Sequence, residues 1–200
     1  QTVMLCPTIA PHDVERFAQQ LSALGVHTID APMSGGPARA TEGTMSLMVA
    51  CLNAVFAQHA PVLQVLSNQL FRISERVGDG ARTKLVNNLL AGINLVGAAE
   101  ALALAERMGL SAQTTLEVIG KSSGHSWVGM DRMQRALKND FAPLAHMTLL
   151  TKDTRLACEA AAAVGFEGPL GRKASAVFAQ ACEAGMSDLD DGALLQLLRG

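Results

Sequence analysis

Lys84 stands four residues before Asn88 in the stretch GDGARTKLVNN. On a helix that spacing puts an ammonium and an amide on one face, about a turn apart. Such a pair suits proton transfer at a substrate oxygen, with the amide orienting the group on which the amine acts. A lysine set in an apolar helix is costly to bury unless it is paired, neutralised or functional. The plainer reading of an isolated lysine near a helix start is a stem that lies along the helix while its ammonium reaches solvent.

Three other stretches carry polar groups in suggestive places. In DAPMSGGPARATEGTM, Asp30 to Met45, a strand ends at Asp30 and Ser34-Gly35-Gly36 follow at its carboxyl end. Open α/β sheets bind ligands there. Consecutive glycines can turn their N–H groups into an anion-binding nest, to which Ser34 adds a hydroxyl, and a small carboxylate suits such a site. An ordinary glycine-rich turn has the same composition. In TKDTRLA, Lys152 and Asp153 interrupt an apolar helical run between Met147 and Ala163, either as functional groups or as a solvated turn. His125, in SSGHSW beside the only tryptophan, lies in a polar loop where it could line a pocket or serve structure alone.

The elements that must position these residues fall into two halves. Up to about residue 77 strands and helices alternate. TVMLC, VHTIDAP, TMSLMVA and QLFRIS read as strands, whereas HDVERFAQQLSAL and NAVFAQHAPVLQVL read as helices, the second with Asn53 as its N-cap. Strands separated by helices of this length imply βαβ units and a mostly parallel sheet. From Gly78 the strand signals stop. Helices are predicted over 81–108, 112–121 (capped by Ser111), 126–137, 145–164, 170–184 and 191–198. The predicted fold is therefore α/β followed by all-α: residues 1–77 as part of a parallel sheet, and 78–200 as a helical domain built on one long helix.

Composition narrows the function classes. The 200 residues are 49% hydrophobic and 17% charged, with a net charge of -2, so no basic surface points to nucleic acid or an anionic membrane. The uncharged run from Leu85 to Ala99 holds three asparagines and falls short of the roughly 20 apolar residues a span needs, so a core helix is expected. Cys6, Cys51, Cys158 and Cys182 are scattered without metal-ligand spacing, which reads as reduced thiols of a cytoplasmic protein without a metal site. No GxGxxG dinucleotide fingerprint precedes the helical half.

The order TxxP (from Thr8), DAPxSGG (Asp30 to Gly36), GxGxxxKxxNN (Gly78 to Asn88) and KDxxLA (from Lys152) resembles the β-hydroxyacid dehydrogenase family, which includes 3-hydroxyisobutyrate dehydrogenase and tartronate semialdehyde reductase. GHSW, DRM and NDFAP look most similar to its L-threonate dehydrogenase-like branch. The resemblance implies a Rossmann-type NAD(P)-binding domain, of which residues 1–77 are the C-terminal part, with the family's first βαβ units and their GxGxxG lying outside this sequence. It implies NAD or NADP as cofactor and a small hydroxy acid as substrate, threonate-like rather than 3-hydroxyisobutyrate. Lys84 falls on the family's catalytic lysine and Asn88 on the asparagine that orients substrate. Ser34, Gly35 and Gly36 match the segment that holds the substrate carboxylate, and His125 is placed with the substrate-binding residues. Thr8 and Lys152 match positions that touch the cofactor. Pro37-Ala38-Arg39 departs from the glycine-bearing stretch of hydroxyisobutyrate enzymes. A homodimer or homotetramer is expected. The rival readings are a catalytically silent helical module, a tartronate semialdehyde reductase-like enzyme, and a related imine reductase, in which the lysine is usually replaced.

Overall fold

The computed structural model describes all 200 residues, Gln1 to Gly200. They form two compact units, Gln1–Asn87 and Asn88–Gly200.

The first unit opens with strand β1 (Thr2–Leu5), helix α1 (Pro11–Ala23) and strand β2 (His27–Asp30). Pro11 starts α1, where its missing N–H costs nothing and its fixed φ suits the helix. β1 and β2 are parallel, with Leu5 opposite Asp30. Then come the two-residue strand β3 (Met33–Ser34), helix α2 (Gly36–Glu42), strand β4 (Ser46–Ala50), helix α3 (Asn53–Leu66) and strand β5 (Gln69–Ser74). Ile29, Ala31, Leu47, Val49, Cys51, Val55 and Leu63 bury together as the core of this unit.

The sheet is mixed, where the sequence predicts a mostly parallel one. β4 and β5 are parallel, but β4 runs antiparallel to both β2 and β3. Pro32, which has no N–H to donate, separates β2 from β3, and the two pair along one edge of β4 as an interrupted strand. A parallel return needs a crossover of a dozen or more residues. The short α2 and its turns instead bring the chain straight back. The helix α2 itself falls in a stretch whose glycines and proline read as loop.

Asn53 is not the N-cap of α3. Leu52 holds that position without a side-chain bond, and Asn53 is the first helical residue. Its backbone N–H and its Nδ2 donate to Glu75, at 3.1 and 2.7 Å, so a carboxylate from beyond β5 caps the helix.

Helix α4 (Asp79–Arg107) is 29 residues long and passes through the boundary between the units. Its most apolar 18-residue window has a mean hydropathy of 1.5, so by length and composition alone it could cross a membrane. This corrects the expectation that the run is too short to do so. Its burial is that of a core helix: Leu95, Ala99 and Leu102 are fully enclosed in the second unit.

That unit continues with α5 (Ala112–Gly120), α6 (Trp127–Ala136), α7 (Met147–Ala163), α8 (Pro169–Glu183), a 3-10 turn (Asp191–Ala193) and α9 (Leu194–Arg199). Ser111 and Ser126 cap α5 and α6 by accepting from the N–H groups of Thr114 and Gly129. Met133, Met147, Phe178, Leu194 and Leu195 join the α4 residues in the core.

A buried charge cluster ties the C-terminal turn to α6. Asp190 accepts from the backbone N–H groups of Leu144, Ala145 and Gly192 and pairs with Arg135. Asp191 pairs with Arg132, which also meets Asp131. Burial works against the Arg132 cation, but Asp191, Asp190 and Asp131 outweigh it and raise its pKa. On Asp191 burial dominates, and its carboxyl is pushed up to about 6 although Arg132 opposes the shift.

Between about pH 4 and 6 the folded chain therefore keeps a proton on Asp191 that the unfolded chain has released, so this group lowers stability as pH rises through that window. Asp191→Asn removes the titration and keeps an oxygen for Arg132. Urea unfolding of the variant across that range should show a flatter stability profile, the wild type losing up to about 3 kcal/mol more between the two ends. Parallel profiles would show that Asp191 titrates as a free carboxylate.

Candidate active site

In the first unit the site is built where α4 meets β2. The Asp30 carboxylate is buried, and its Oδ2 accepts from the backbone N–H of Gly78 at 2.8 Å and of Ala81 at 3.1 Å. Those N–H groups belong to the first turn of α4, which has no intrahelical acceptors for them. Burial raises the Asp30 pKa, the backbone N–H groups of Ala81, Gly78 and Gly80 oppose the shift, and the neighbouring Asp79 adds to it. Gly80 is forced by contact: a Cβ there would lie 2.6 Å from Met48 O and 2.9 Å from Asp30 Cγ.

One turn further along α4, Lys84 is only 6% exposed. Asn87 donates from Nδ2 to Ser34 Oγ at 3.4 Å, a long bond that ties α4 to the serine of the predicted carboxylate segment. Gly35 and Gly36 have φ of 137° and 69°, a backbone only glycine adopts readily. The stem of Arg39 packs over Gly35 so closely that a Cβ there would lie 2.8 Å from its Cβ and Cδ. Thr8, half-buried, lies just beyond the carboxyl end of β1, where Ala31 N–H donates to Leu5 O.

In the second unit, Asn88 is buried and donates from Nδ2 to Asp153 Oδ2 at 2.5 Å. Lys152 Nζ lies 2.7 Å from Asp153 Oδ1. Asp153 on α7 thus joins two residues that the sequence reading names separately. That reading notices Asp153 only as part of TKDTRLA; its signal is a carboxylate next to a lysine on an apolar helix. His125 is exposed in the turn before α6, where its backbone N–H donates to Ser122 O. It shares no hydrogen bond or ion pair with Asn88, Lys152 or Asp153. No cluster of three or more His, Cys, Asp or Glu side chains could hold a metal.

A sheet followed by a helical unit on one long helix is an architecture shared with solved 3-hydroxyisobutyrate dehydrogenases. The sequence profile for the NAD-binding domain of NADP-dependent 3-hydroxyisobutyrate dehydrogenase matches residues 78–198, and that for the NAD-binding domain of 6-phosphogluconate dehydrogenase matches residues 1–74. L-threonate dehydrogenase of Escherichia coli O6:H1 is 33% identical over 198 residues, covering 99% of this chain and 66% of that protein. 3-Hydroxyisobutyrate dehydrogenase of Pseudomonas aeruginosa is 36% identical over 206 residues, covering 98% of this chain and 68% of that protein. The crystal structure of a 3-hydroxyisobutyrate dehydrogenase from Salmonella typhimurium superposes with a TM-score of 0.93 at 35% identity, over 98% of this chain and 69% of that one. The chain belongs to the β-hydroxyacid dehydrogenase family, of the 3-hydroxyisobutyrate dehydrogenase type. It spans about two-thirds of the length of the L-threonate dehydrogenase, 66%.

The link through Asp153 generates a direct test. Asp153→Ala leaves the buried Asn88 amide without its carboxylate partner and Lys152 without its counter-ion. An unsatisfied buried polar group costs about 1–3 kcal/mol. Urea denaturation should show a loss of that order, with Asp153→Asn losing less. Equal stability of all three proteins would show that the link is incidental.

Proposed function

We propose that the protein carrying this chain is an NAD(P)-dependent dehydrogenase of a small hydroxy acid, with a threonate-like sugar acid favoured over 3-hydroxyisobutyrate and Lys84 as the acid–base group. The observation that carries the reading is the burial of Lys84 within a turn of Asn87, which reaches Ser34. A buried ammonium in an apolar helix has little structural use, but it suits a group that takes up the hydroxyl proton of a bound alcohol. Ser34, Gly35 and Gly36 hold the substrate carboxylate and so fix the carbinol carbon relative to Lys84. Asn88 orients the substrate, and Asp153 in turn orients Asn88.

The fit to a dinucleotide rests on Thr8 at the carboxyl end of β1 and on Lys152, a half-exposed cation held by Asp153. When bound, the nicotinamide supplies the hydride acceptor, and the chain's own task is positioning and proton transfer. The preference for a hydroxylated substrate rests on the similarity to L-threonate dehydrogenases and on Arg39 over Gly35, where hydroxyisobutyrate enzymes carry a glycine-bearing stretch; on the same reading His125 is assigned to the substrate. Four free cysteines agree with a cytoplasmic setting.

Two measurements test this. Lys84→Met should leave folding and dinucleotide binding intact while lowering turnover by roughly 10²-fold or more. On a substrate panel the wild type should show a higher kcat/KM on L-threonate or another four-carbon sugar acid than on 3-hydroxyisobutyrate. Turnover of Lys84→Met within a few-fold of wild type would make the lysine structural, and the reverse ranking of substrates would remove the threonate assignment.

A homo-oligomer, dimer or tetramer, follows from the other side of α4. Val86, Leu90, Gly97, Ala101, Leu104 and Met108 are exposed, and at about 100° per residue they share one face. That face lies opposite Lys84 and Asn88. Ala99, Ala103 and Ala105 are buried within the chain itself, so the large apolar residues form the outer surface, with Gly97 and Ala101 allowing close approach between them. A two-fold contact along such a stripe is self-complementary. Light scattering should report a dimer or larger at micromolar concentration, and Leu90→Glu with Leu104→Glu should shift it to monomer. A wild type that is monomeric there would refute this part of the reading.

A further inference from the structure

Ser34 ends β3, and its backbone is held by the sheet, where it lies opposite Ser46 of β4. The sheet fixes the main chain but leaves the hydroxyl three staggered positions about χ1. Asn87 on α4 selects among them, because its Nδ2 donates to Ser34 Oγ at 3.4 Å across 53 residues of sequence. Asn87 is exposed, whereas Lys84 and Asn88 on the same helix are buried. Asparagine is a weak helix former. An exposed one inside a 29-residue helix therefore does nothing for the helix itself. A serine hydroxyl has one proton to give and two lone pairs. Taking the amide N–H on a lone pair leaves the proton for another acceptor, and accepting makes the hydroxyl a better donor. Gly35 and Gly36, with φ of 137° and 69°, follow directly, so the donating hydroxyl adjoins the glycine turn.

We infer that Asn87 is a positioning residue for substrate binding, setting the Ser34 hydroxyl as a donor to the substrate carboxylate. The inference rests on the reading of Ser34, Gly35 and Gly36 as the carboxylate segment. The bond is long at 3.4 Å, and a bound anion that orders the hydroxyl shortens it. It acts on the carboxylate end of the substrate, so its loss raises KM more than it lowers kcat. Asn87→Asp has no N–H to give; its carboxylate takes the Ser34 proton and sets a second negative charge beside that of the substrate. Lys84 stands three residues back on the same helix, within reach of a direct effect. In the oxidation direction Lys84 must be neutral to accept the hydroxyl proton, so kcat rises with pH as it deprotonates. An effect of Asn87 on Lys84 moves that rise, whereas an effect through Ser34 leaves it in place.

Asn87→Ala, Asn87→Asp, Ser34→Ala and the double variant of Asn87→Ala with Ser34→Ala are assayed in the whole protein that carries this chain. Cofactor is saturating, and the substrate is the hydroxy acid of highest kcat/KM in the panel. Asn87→Ala should raise KM roughly five-fold, with kcat changed less and the midpoint of its rise with pH unmoved. Asn87→Asp should raise KM roughly ten-fold or more. The double variant should match Ser34→Ala alone, since two residues that act through one bond are not additive. Suppose instead that Ser34→Ala raises KM while Asn87→Ala does not, that the two effects multiply, or that Asn87→Ala shifts the pH midpoint. Asn87 then does not act through Ser34, and the inference is wrong while the reading of Ser34 stands. If Ser34→Ala leaves KM unchanged, the carboxylate reading fails and the inference fails with it. Unfolding of Asn87→Ala, followed in urea, also counts against the inference, since it makes the amide a requirement of the fold.

Discussion

The start of α4 is held by a carboxylate that belongs to another element. A helix opens with N–H groups that have no partners, and burying them unsatisfied is costly. Asp30 at the end of β2 takes two of them, and Gly80 lets the helix come close enough for it to do so. That contact fixes the position at which Lys84 leaves the sheet. It also fixes Asn87, and through Asn87 the approach to Ser34. The same device recurs at α3, where Glu75 takes the backbone N–H and the side-chain amide of Asn53. Two helices that follow strands of this sheet are thus capped by carboxylates distant in sequence, with no cap supplied by the residue before the helix.

This explains which parts of the molecule could be read from the chain alone. The long helix announces itself by a continuous apolar pattern and is predicted within two residues of its observed start. Ser111 and Ser126 are capping residues adjacent to their helices, so the sequence places both helix starts. Asn53 misleads because its type suits an N-cap, whereas the real acceptor lies 22 residues away on Glu75. Asp30 was legible as the end of a strand, but its partners at Gly78 and Ala81 are set by tertiary packing. The antiparallel return of β4 is invisible for a similar reason, since Pro32 and the short α2 decide it and the turn-like composition of Gly35 to Arg39 hides a helix.

The site shows the same division. Lys84 and Asn88 are legible by spacing on one helix. Gly35 and Gly36 are legible as consecutive glycines, and both have positive φ. Asp153 became meaningful only once α7 packed beside α4 in the helical unit, bringing Oδ2 to Asn88 while Oδ1 stays beside its sequence neighbour Lys152. Periodicity identifies positions on one element, but it does not say which carboxylate of another element will meet them.

The central claim is that the buried amine of Lys84 is the group whose ionisation controls turnover. Carbon NMR of the protein grown on 13C-labelled lysine tests it most directly, with the Lys84 side-chain signal assigned by its loss in Lys84→Arg. The account predicts that this signal titrates with the same midpoint as the rise of kcat with pH. A Lys84 signal that stays fully protonated across the whole range in which turnover rises would contradict it.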